Sequence, residues 1–263
     1  MKIKDLAAVI ESFAPLSLQE SYDNSGLVVG NPEDEVHSAL LAVDVTEEVL
    51  DEAEREGCDI IITHHPIIFH PLKRFNSSNY VERCVERAIR RGIALYACHT
   101  NLDSAVGGMS WQVGSMIGLN DMSVLQPSAS GAETGFGVVG TLPRSESAMA
   151  LMSRIKSIFD VGAIRYRDIP SEEFMVQRVA LCTGAGGSLI DDALRANAQL
   201  YVTADLRYND FMRGDNRMIL ADIGHFESEF CAIRILFDIL SKKINTFAVR
   251  KSVNSRNPIH YLV

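Results

Sequence analysis

Hydrophobic and polar positions along residues 36–98 predict strands and helices in alternation. Three short runs are predicted strands: Val36–Val45, which is apolar and β-branched in its second half, Asp59–Thr63 and Ile93–Cys98. The three consecutive isoleucines of Asp59–Thr63 are typical of a strand that is buried on both faces. Amphipathic stretches lie between them, one from a capping Thr46 to Gly57 and one over Tyr80–Arg91, and each ends at a glycine. The alternation predicts an α/β fold with a mainly parallel sheet.

The second half of the chain repeats this plan. A shift of 140 residues places several positions of the first half on the second: Leu41 on Leu181, Thr63 on Thr203, and Ile60–Ile62 on Leu200–Val202. In each half a predicted strand also leads into a histidine that is followed four positions later by an acid, His99 with Asp103 and His225 with Glu229. Shared strand–helix patterning could produce part of this agreement. We interpret it as two related α/β lobes.

The predicted domain organisation is therefore two lobes joined by a short polar segment. Gln126–Gly131 is polar and small and is the predicted linker, so that residues 1–125 form the first α/β lobe and residues 132–263 the second. Further elements are predicted as a strand, a helix and three more strands: Gly135–Thr141, Ser147–Phe159, Ala163–Arg167, Thr246–Val249 and Ile259–Val263. The C-terminal segment, about residues 222–263, could instead pack against the first lobe.

Composition narrows the class of protein. Hydrophobic residues make up 47% of the 263 residues, and no apolar run reaches the length of about 18 that a membrane span needs. Asp5 precedes any apolar run, so no signal peptide is predicted. The five cysteines are scattered and never spaced C-x-x-C, which favours small core residues in a reducing compartment. Cytoplasm is the predicted location, and no membrane partner is expected.

The charge balance bears on nucleic acid as a partner. The formal net charge is −9, which argues against a broad nucleic-acid face without excluding a local basic channel. Arg87, Arg90 and Arg91 form one small basic group. Such a group is more typical of a solvated helix face than of a binding patch.

Three groups of polar residues follow predicted buried strands. His64 and His65 come at the carboxyl end of one strand, the edge where ligands bind in open α/β sheets. Adjacent strand side chains point to opposite faces, but a turn before Pro66 would let each imidazole serve one of two neighbouring ions. A polar turn without a ligand is the alternative.

The two His-x3-acid pairs are the other groups. Imidazole and carboxylate suit Zn, Fe, Mn and related ions, although Asp103 could instead cap a helix. His225 and Glu229 would share one face of a helix, where Glu229 could bridge two cations and where an ordinary surface pair is the alternative. Strand ends converge in space, so the three groups together predict a metal site. His37, His70 and His260 lack such companions.

Gly184-Ala185-Gly186-Gly187 is a weaker signal. It lies between a predicted strand and a predicted helix, so its N–H groups could cradle a phosphate. It lacks the remaining residues of a P-loop, and a tight strand–helix turn explains it equally well. No nucleophile elbow with a serine is present.

These motifs resemble those of the Nif-three-like proteins, whose bacterial members carry the label GTP cyclohydrolase I type 2 homologue. The resemblance rests on four segments, in order along the whole chain: Tyr22-Asp23-Asn24-Ser25-Gly26-Leu27, Thr63-His64-His65-Pro66, His99-Thr100-Asn101-Leu102-Asp103 and Gly224-His225-x3-Glu229. The chain departs from the usual family pattern at Tyr22, where Trp is usual, and in the stretch Ala204–Asn209.

The resemblance implies two α/β lobes with a dinuclear metal centre at their junction, assembled into a ring-shaped homohexamer. It implies metal ligands at five positions: His64, His65, Asp103, His225 and Glu229. It implies two divalent ions per subunit, for which Zn, Fe, Mn and Co are equally suitable. His99 matches a site residue that is either catalytic, as a proton shuttle, or supports a ligand.

The leading functional hypothesis is a metal-dependent hydrolase that acts on a nucleotide or a related heterocycle, with ring opening of a purine nucleoside triphosphate as the labelled activity. One alternative is a metal-binding regulatory or interaction protein without turnover. Another is a ring-shaped protein that acts in the handling of damaged nucleic acid.

Overall fold

The computed structural model describes residues 1–129, 131–169, 171 and 174–262. The helices are α1 (Ile3–Glu11), α2 (Glu47–Glu56), α3 (Tyr80–Arg91), α4 (Thr100–Ser104), α5 (Met109–Ile117), α6 (Ala148–Ile158), α7 (Ile190–Arg195), α8 (His225–Glu229) and α9 (Cys231–Lys243). The strands are β1 (Gly26–Val29), β2 (Ser38–Ala42), β3 (Ile60–Thr63), β4 (Ala94–Ala97), β5 (Asn120–Ser128), β6 (Gly131–Ser147), β7 (Arg165–Tyr166), β8 (Met175–Ala185), β9 (Leu200–Ala204), β10 (Ile219–Asp222) and β11 (Ala248–Lys251). Short 3-10 helices lie at Leu16–Leu18, Gly187–Leu189 and Tyr208–Gly214.

The chain folds into two compact units, each with its own sheet. Unit 1 comprises Met1–Ala105 and Ala232–Arg256, and unit 2 comprises Val106–Cys231 and Asn257–Val263. The chain thus leaves unit 1 at Ala105, well before the predicted linker, and residues 232–256 return to unit 1. They do so because β11 forms a parallel pair with β2.

The sheet of unit 1 has the strand order β1-β4-β3-β2-β11. All of its pairs are parallel except β1 with β4. The isoleucines of β3 lie at the centre of the sheet and are buried, and Ile61 packs in one apolar cluster with Leu40 and Leu95. The carboxyl ends of β2, β3 and β4 therefore lie side by side at one edge.

Local signals set the bounds of α2 and α3. Thr46 caps α2 by accepting a hydrogen bond from the Val49 N–H at 3.2 Å, and Asn79 caps α3 in the same way. Gly57 and Gly92 end the two helices with φ values of 64° and 67°, which residues with a Cβ rarely adopt. Both helices thus match the prediction because caps and glycines act within one turn.

The sheet of unit 2 has the order β5-β6-β8-β9-β10-β7. Only β8, β9 and β10 are parallel, and the other pairs are antiparallel. The α/β class with two sheets is confirmed, while the parallel character predicted for both sheets describes the first sheet better than the second. β5 and β6 form an antiparallel hairpin, which needs no crossover helix.

The parallel cores of the two units repeat as the 140-residue shift predicts. In unit 1, Ala39 aligns with Ile60, and in unit 2, Val179 aligns with Leu200. The repeat is incomplete after β9, where the 3-10 helix Tyr208–Gly214 stands in the place that α3 takes in unit 1.

The segment predicted as a linker is part of the β5–β6 hairpin. Gln126 pairs with Phe136 across the two strands, and Gly131 opens β6, while Ser130 lies outside the described residues. The predicted strand at Ile259–Val263 also differs, because its described part, residues 259–262, lies outside both sheets. Among the described residues, every helix is too short or too polar to cross a membrane.

Candidate metal centre

His64 and His65 lie where the chain turns out of β3. Thr63 Oγ1 donates to the His65 carbonyl at 2.7 Å, and the His65 N–H donates to the Val43 carbonyl at 3.0 Å. The turn removes the up–down alternation of a strand, so the two imidazoles approach each other, with ring centroids 5.0 Å apart.

His99 completes a triangle of imidazoles in unit 1. Its ring centroid lies 5.2 Å from that of His64 and 5.4 Å from that of His65. One ring nitrogen of each histidine lies within 4.8 Å of one from each of the others, which is close enough for a shared metal ion. His99 can therefore be a ligand as well as the proton shuttle that the sequence suggests.

Asp103 is brought to the same cluster by the short helix α4. Its Oδ1 lies 3.8 Å from His64 Nε2, and its side chain is only 12% exposed. The alternative, in which Asp103 caps the helix that follows it, is not supported, because Asp103 lies within α4 and the N-cap residue of the next helix, α5, is Gly108. All four site residues that were predicted in unit 1 are thus close together: His64, His65, His99 and Asp103.

The orientation of each imidazole in unit 1 is set through Nδ1. The Nδ1 atom of His64 lies 2.9 Å from the Cys98 carbonyl, that of His65 lies 2.7 Å from Asp44 Oδ1, and that of His99 lies 2.7 Å from Asp23 Oδ1. A carbonyl or an ionised carboxylate only accepts, so Nδ1 carries the hydrogen. In an imidazole with its hydrogen on Nδ1, the lone pair that can bind a cation is on Nε2.

Asp23 is the centre of a small hydrogen-bonded network. Its carboxylate accepts from His99 and from the Thr100 N–H at 3.0 Å, and its side chain is fully buried. Burial alone would raise the pKa of Asp23, but the hydrogen bonds from His99 and Thr100 outweigh it and hold the pKa well below its usual range. Asp23 therefore stays ionised and aims its charge at His99.

Unit 2 holds the second histidine–acid pair. His225 Nε2 lies 3.0 Å from Glu229 Oε2, and His225 Nδ1 lies 2.7 Å from Asp205 Oδ2. Glu229 is buried, and its carboxylate packs directly against Gly184. A Cβ at Gly184 would lie 2.1 Å from Glu229 Oε1. The Gly184 N–H also donates to Ser228 Oγ at 2.9 Å, which fixes the first turn of α8.

Negative charge surrounds His225. Burial would lower its pKa, but Glu229 and Asp205 outweigh that effect and raise the pKa to about 9. The same field favours any cation at this position. Asp205 itself has a φ of 55°, a conformation that Asp tolerates better than most residues and that is often kept at functional sites.

The donor set fits a divalent cation. It combines imidazole nitrogen with carboxylate oxygen, the mixture that suits Zn, Fe, Mn and Co. The carboxylates of Asp103 and Glu229 also bring negative charge, which attracts a cation.

Sequence reasoning missed the orienting roles of Asp23, Asp44 and Asp205, and it included Asp205 only within the stretch Ala204–Asn209. Asp44 and Asp205 both follow parallel strands, β2 and β9, so the strand-end rule that found the histidines would also have found them.

The remaining signals do not add a second site. The three arginines of the basic group all pair with acids: Arg87 with Asp51 and Glu54, Arg90 with Glu86, and Arg91 with Glu54. This helix face is therefore neutralised, as expected of a solvated face. His37 and His260 are exposed and belong to none of the groups of possible metal ligands among the described residues, whereas the ring of His70 contacts Phe69.

The glycine segment is a tight turn. The Gly186 N–H donates to Thr203 Oγ1 at 3.0 Å, and the Gly184 N–H is also used within the protein. A Cβ at Gly186 would lie 2.2 Å from Thr203 Oγ1. Close packing explains Gly184 and Gly186, and the phosphate alternative loses these two N–H donors.

Comparison with known proteins agrees with these features. A protein of Lactococcus lactis is 34% identical over 266 residues, covering 99% of both chains, and one of Clostridium perfringens is 32% identical over 267 residues, covering 100% of both. Both are named GTP cyclohydrolase 1 type 2 homolog.

Solved structures share the fold. A hypothetical protein of Staphylococcus aureus matches with a TM-score of 0.90 and 25% identity, and a Bacillus cereus protein related to NIF3 matches with 0.89 and 22%; each match covers 100% of this chain and 99% of the other. The family model described as Duf34/NIF3 (NGG1p interacting factor 3) matches residues 1–258. The resemblance found in the motifs is thus confirmed, and this chain belongs to the Duf34/NIF3 family.

Proposed function

We propose that this protein is a metal-dependent hydrolase that acts on a nucleotide or a related heterocycle. The observation that carries the proposal is the anchoring of four imidazoles through Nδ1: His64 by a carbonyl, and His65, His99 and His225 each by an aspartate. Such outer hydrogen bonds fix the tautomer and the direction of metal-binding histidines and raise their basicity. Histidines with a purely structural role have no need of this arrangement at every ring.

The proposed ligands of two divalent ions are His64, His65, Asp103, His225 and Glu229. Two such ions, whether Zn, Fe, Mn or Co, would supply Lewis acidity, which lowers the pKa of a water molecule and polarises a substrate oxygen. Glu229, buried beside His225, is the proposed bridging carboxylate. Its carboxylate and that of Asp103 would supply oxygen ligands and negative charge to the cations.

His99 is the proposed proton-transfer residue. Asp23 holds its Nδ1–H, so that the Nε2 atom takes up and releases the proton, and the charge of Asp23 stabilises the imidazolium that forms. The names of the bacterial relatives support a purine nucleotide such as GTP as the substrate. A homohexameric ring and a cytoplasmic location remain predictions.

One assay tests the proposal. The protein is purified with its native metal, incubated with a nucleotide pool that includes GTP, and compared with a His64→Ala/Glu229→Ala double variant. His37→Ala is the matched control, because it removes an exposed histidine away from the cluster. We expect about two metal ions per wild-type chain by elemental analysis, and turnover that falls at least about 100-fold in the double variant only.

The opposite outcome would favour the alternative of a metal-dependent interaction protein. In that case no nucleotide is consumed by the metal-loaded wild type, while removal of the metal abolishes binding of a partner protein. Wild-type protein that contains no metal in any preparation would contradict the ligand set as well.

A further inference from the structure

Two aromatic rings of unit 1 are exposed beside the histidine cluster. Tyr22 is 63% exposed and Phe69 is 40% exposed, and their ring centroids lie 6.3 Å apart with the planes tilted by 58°. The rings are thus neighbours that do not stack face to face. Water around large aromatic surfaces is unfavourable, so an exposed pair of this kind is a surface that gains by being covered.

Phe69 links this pair to the proposed proton-transfer residue. Its ring lies 6.1 Å from that of His99, at an angle of 78°. The edge-to-face arrangement holds Phe69 beside the imidazole triangle. A ligand that stacks on Phe69 would therefore lie next to the residue that contacts His99.

One turn positions all of these groups. Tyr22, Asp23 and Asn24 are consecutive: Tyr22 meets Phe69, and Asp23 holds His99. Asn24 Nδ2 donates to the Ile68 carbonyl at 2.7 Å, which ties the turn to the segment that carries Phe69. The turn thus couples the position of the aromatic pair to the orientation of the proton-transfer residue.

We propose that Tyr22 and Phe69 form a stacking platform for the planar heteroaromatic ring of the substrate. This inference rests on the proposed function, since it concerns the ligand of the same site. The occupant is a single ring system and not a protein, because exposed polar residues, Ser21, Asn24 and His70, flank the two aromatic residues along the chain. Every nucleobase has a π-face that such side chains can stack against.

A fluorescence titration tests the platform without relying on turnover. Trp111 is the only tryptophan, so a Trp111→Phe/Tyr22→Trp variant carries one indole, placed on the platform. We expect guanosine and GTP to quench this indole saturably, whereas ribose 5-phosphate and inorganic triphosphate, which lack the ring, leave its fluorescence unchanged. A thermal melt checks that the variant is folded.

Adding Phe69→Ala to this background is expected to weaken guanosine affinity about 5- to 150-fold, the range that one stacked base contributes. Phe75→Ala is the matched control, because Phe75 is an exposed phenylalanine of the same loop. It should leave the affinity unchanged, and metal content should stay constant in all variants.

Absence of saturable quenching, or equal affinity with and without Phe69, would overturn the platform. So would a change in oligomeric state in Phe69→Ala with no change in guanosine affinity, which would make the pair a protein contact. Nucleotide turnover that persists in Tyr22→Ala/Phe69→Ala with an unchanged KM overturns the platform and leaves the hydrolase standing. Saturable quenching without turnover of any nucleotide supports the platform and contradicts the proposed hydrolase activity.

Discussion

At the scale of single residues, the aspartates behind the histidines distinguish this cluster from a set of polar surface groups. Asp44 and Asp205 are about half exposed, yet each directs its carboxylate at an imidazole Nδ1 atom at 2.7 Å. Solvent would satisfy either group at lower entropic cost. Their positions are therefore best understood as supports that aim the Nε2 atoms of His65 and His225.

Asp205 offers a direct test of this role. We expect Asp205→Ala to weaken metal binding about 10- to 100-fold, because His225 loses both its orientation and a neighbouring negative charge. Asp205→Asn is the matched variant: its amide oxygen still accepts from Nδ1, and Asn tolerates the φ of 55°. A smaller loss is expected for Asn, measured by competition with a chelator of known affinity. Wild-type affinity in Asp205→Ala would show that the contact is incidental.

At the scale of elements, α2 holds the end of the C-terminal segment of unit 1. The Glu52 carboxylate, which is buried, accepts from Ser252 Oγ at 2.6 Å and from the N–H groups of Val253 and Asn254 at 3.0 and 3.1 Å. Burial would raise the pKa of Glu52, but these hydrogen bonds outweigh it and lower the pKa. The ionised form therefore anchors the chain just after β11.

This anchor predicts a pH dependence of stability. Because the folded-state pKa of Glu52 is lowered, its contribution is complete above the ordinary glutamate value of about 4.3 and is lost as the pH falls through the lowered value. Glu52→Gln should reduce the free energy of unfolding by about 1–3 kcal/mol at pH 7, and the difference from wild type should shrink toward pH 3. Urea unfolding of both proteins at several pH values measures the difference in the free energy of unfolding and its dependence on pH.

Glu48→Gln is the control for this experiment, because Glu48 is an exposed glutamate on the same helix. It should change stability by less than about 0.5 kcal/mol at neutral pH. A Glu52→Gln difference that stays constant between pH 7 and pH 3 would contradict the assigned role of the carboxylate.

At the scale of the whole molecule, the proposed ligands come from distant parts of the chain, from His64 to Glu229. The unfolded chain cannot hold them together, so metal should bind the folded form alone and stabilise it. At a metal concentration about 100 times Kd the gain is about 2.7 kcal/mol. We expect chelation to lower the Tm by at least about 5 °C, and added metal to restore it.

Differential scanning calorimetry of the wild type and of His64→Ala/Glu229→Ala measures this effect. The variant should melt at the same temperature with and without metal. A wild-type Tm that does not respond to complete removal of the metal, verified by elemental analysis, would show that the ions are not bound in a folded-state site.

Much of the architecture follows from the sequence because its signals are local. A capping side chain and a left-handed glycine act within one turn, so α3 lies at Tyr80–Arg91 as predicted. Buried strands are continuous apolar runs, which made β3 recognisable. The α/β class and the strand-end positions of the histidines were therefore determined by the sequence alone.

The tertiary structure decided what depends on partners far apart along the chain. Asp44 lies 21 residues from His65, and Asp205 lies 20 residues from His225, so no local pattern reveals these hydrogen bonds. The segment Gln126–Gly131 is polar whether it is a linker or the tip of a hairpin, because both face water; only strand pairing shows that it belongs to the hairpin. β11 joins the first sheet for the same reason, since sheet neighbours are chosen by backbone pairing across the fold and not by the residues of one segment.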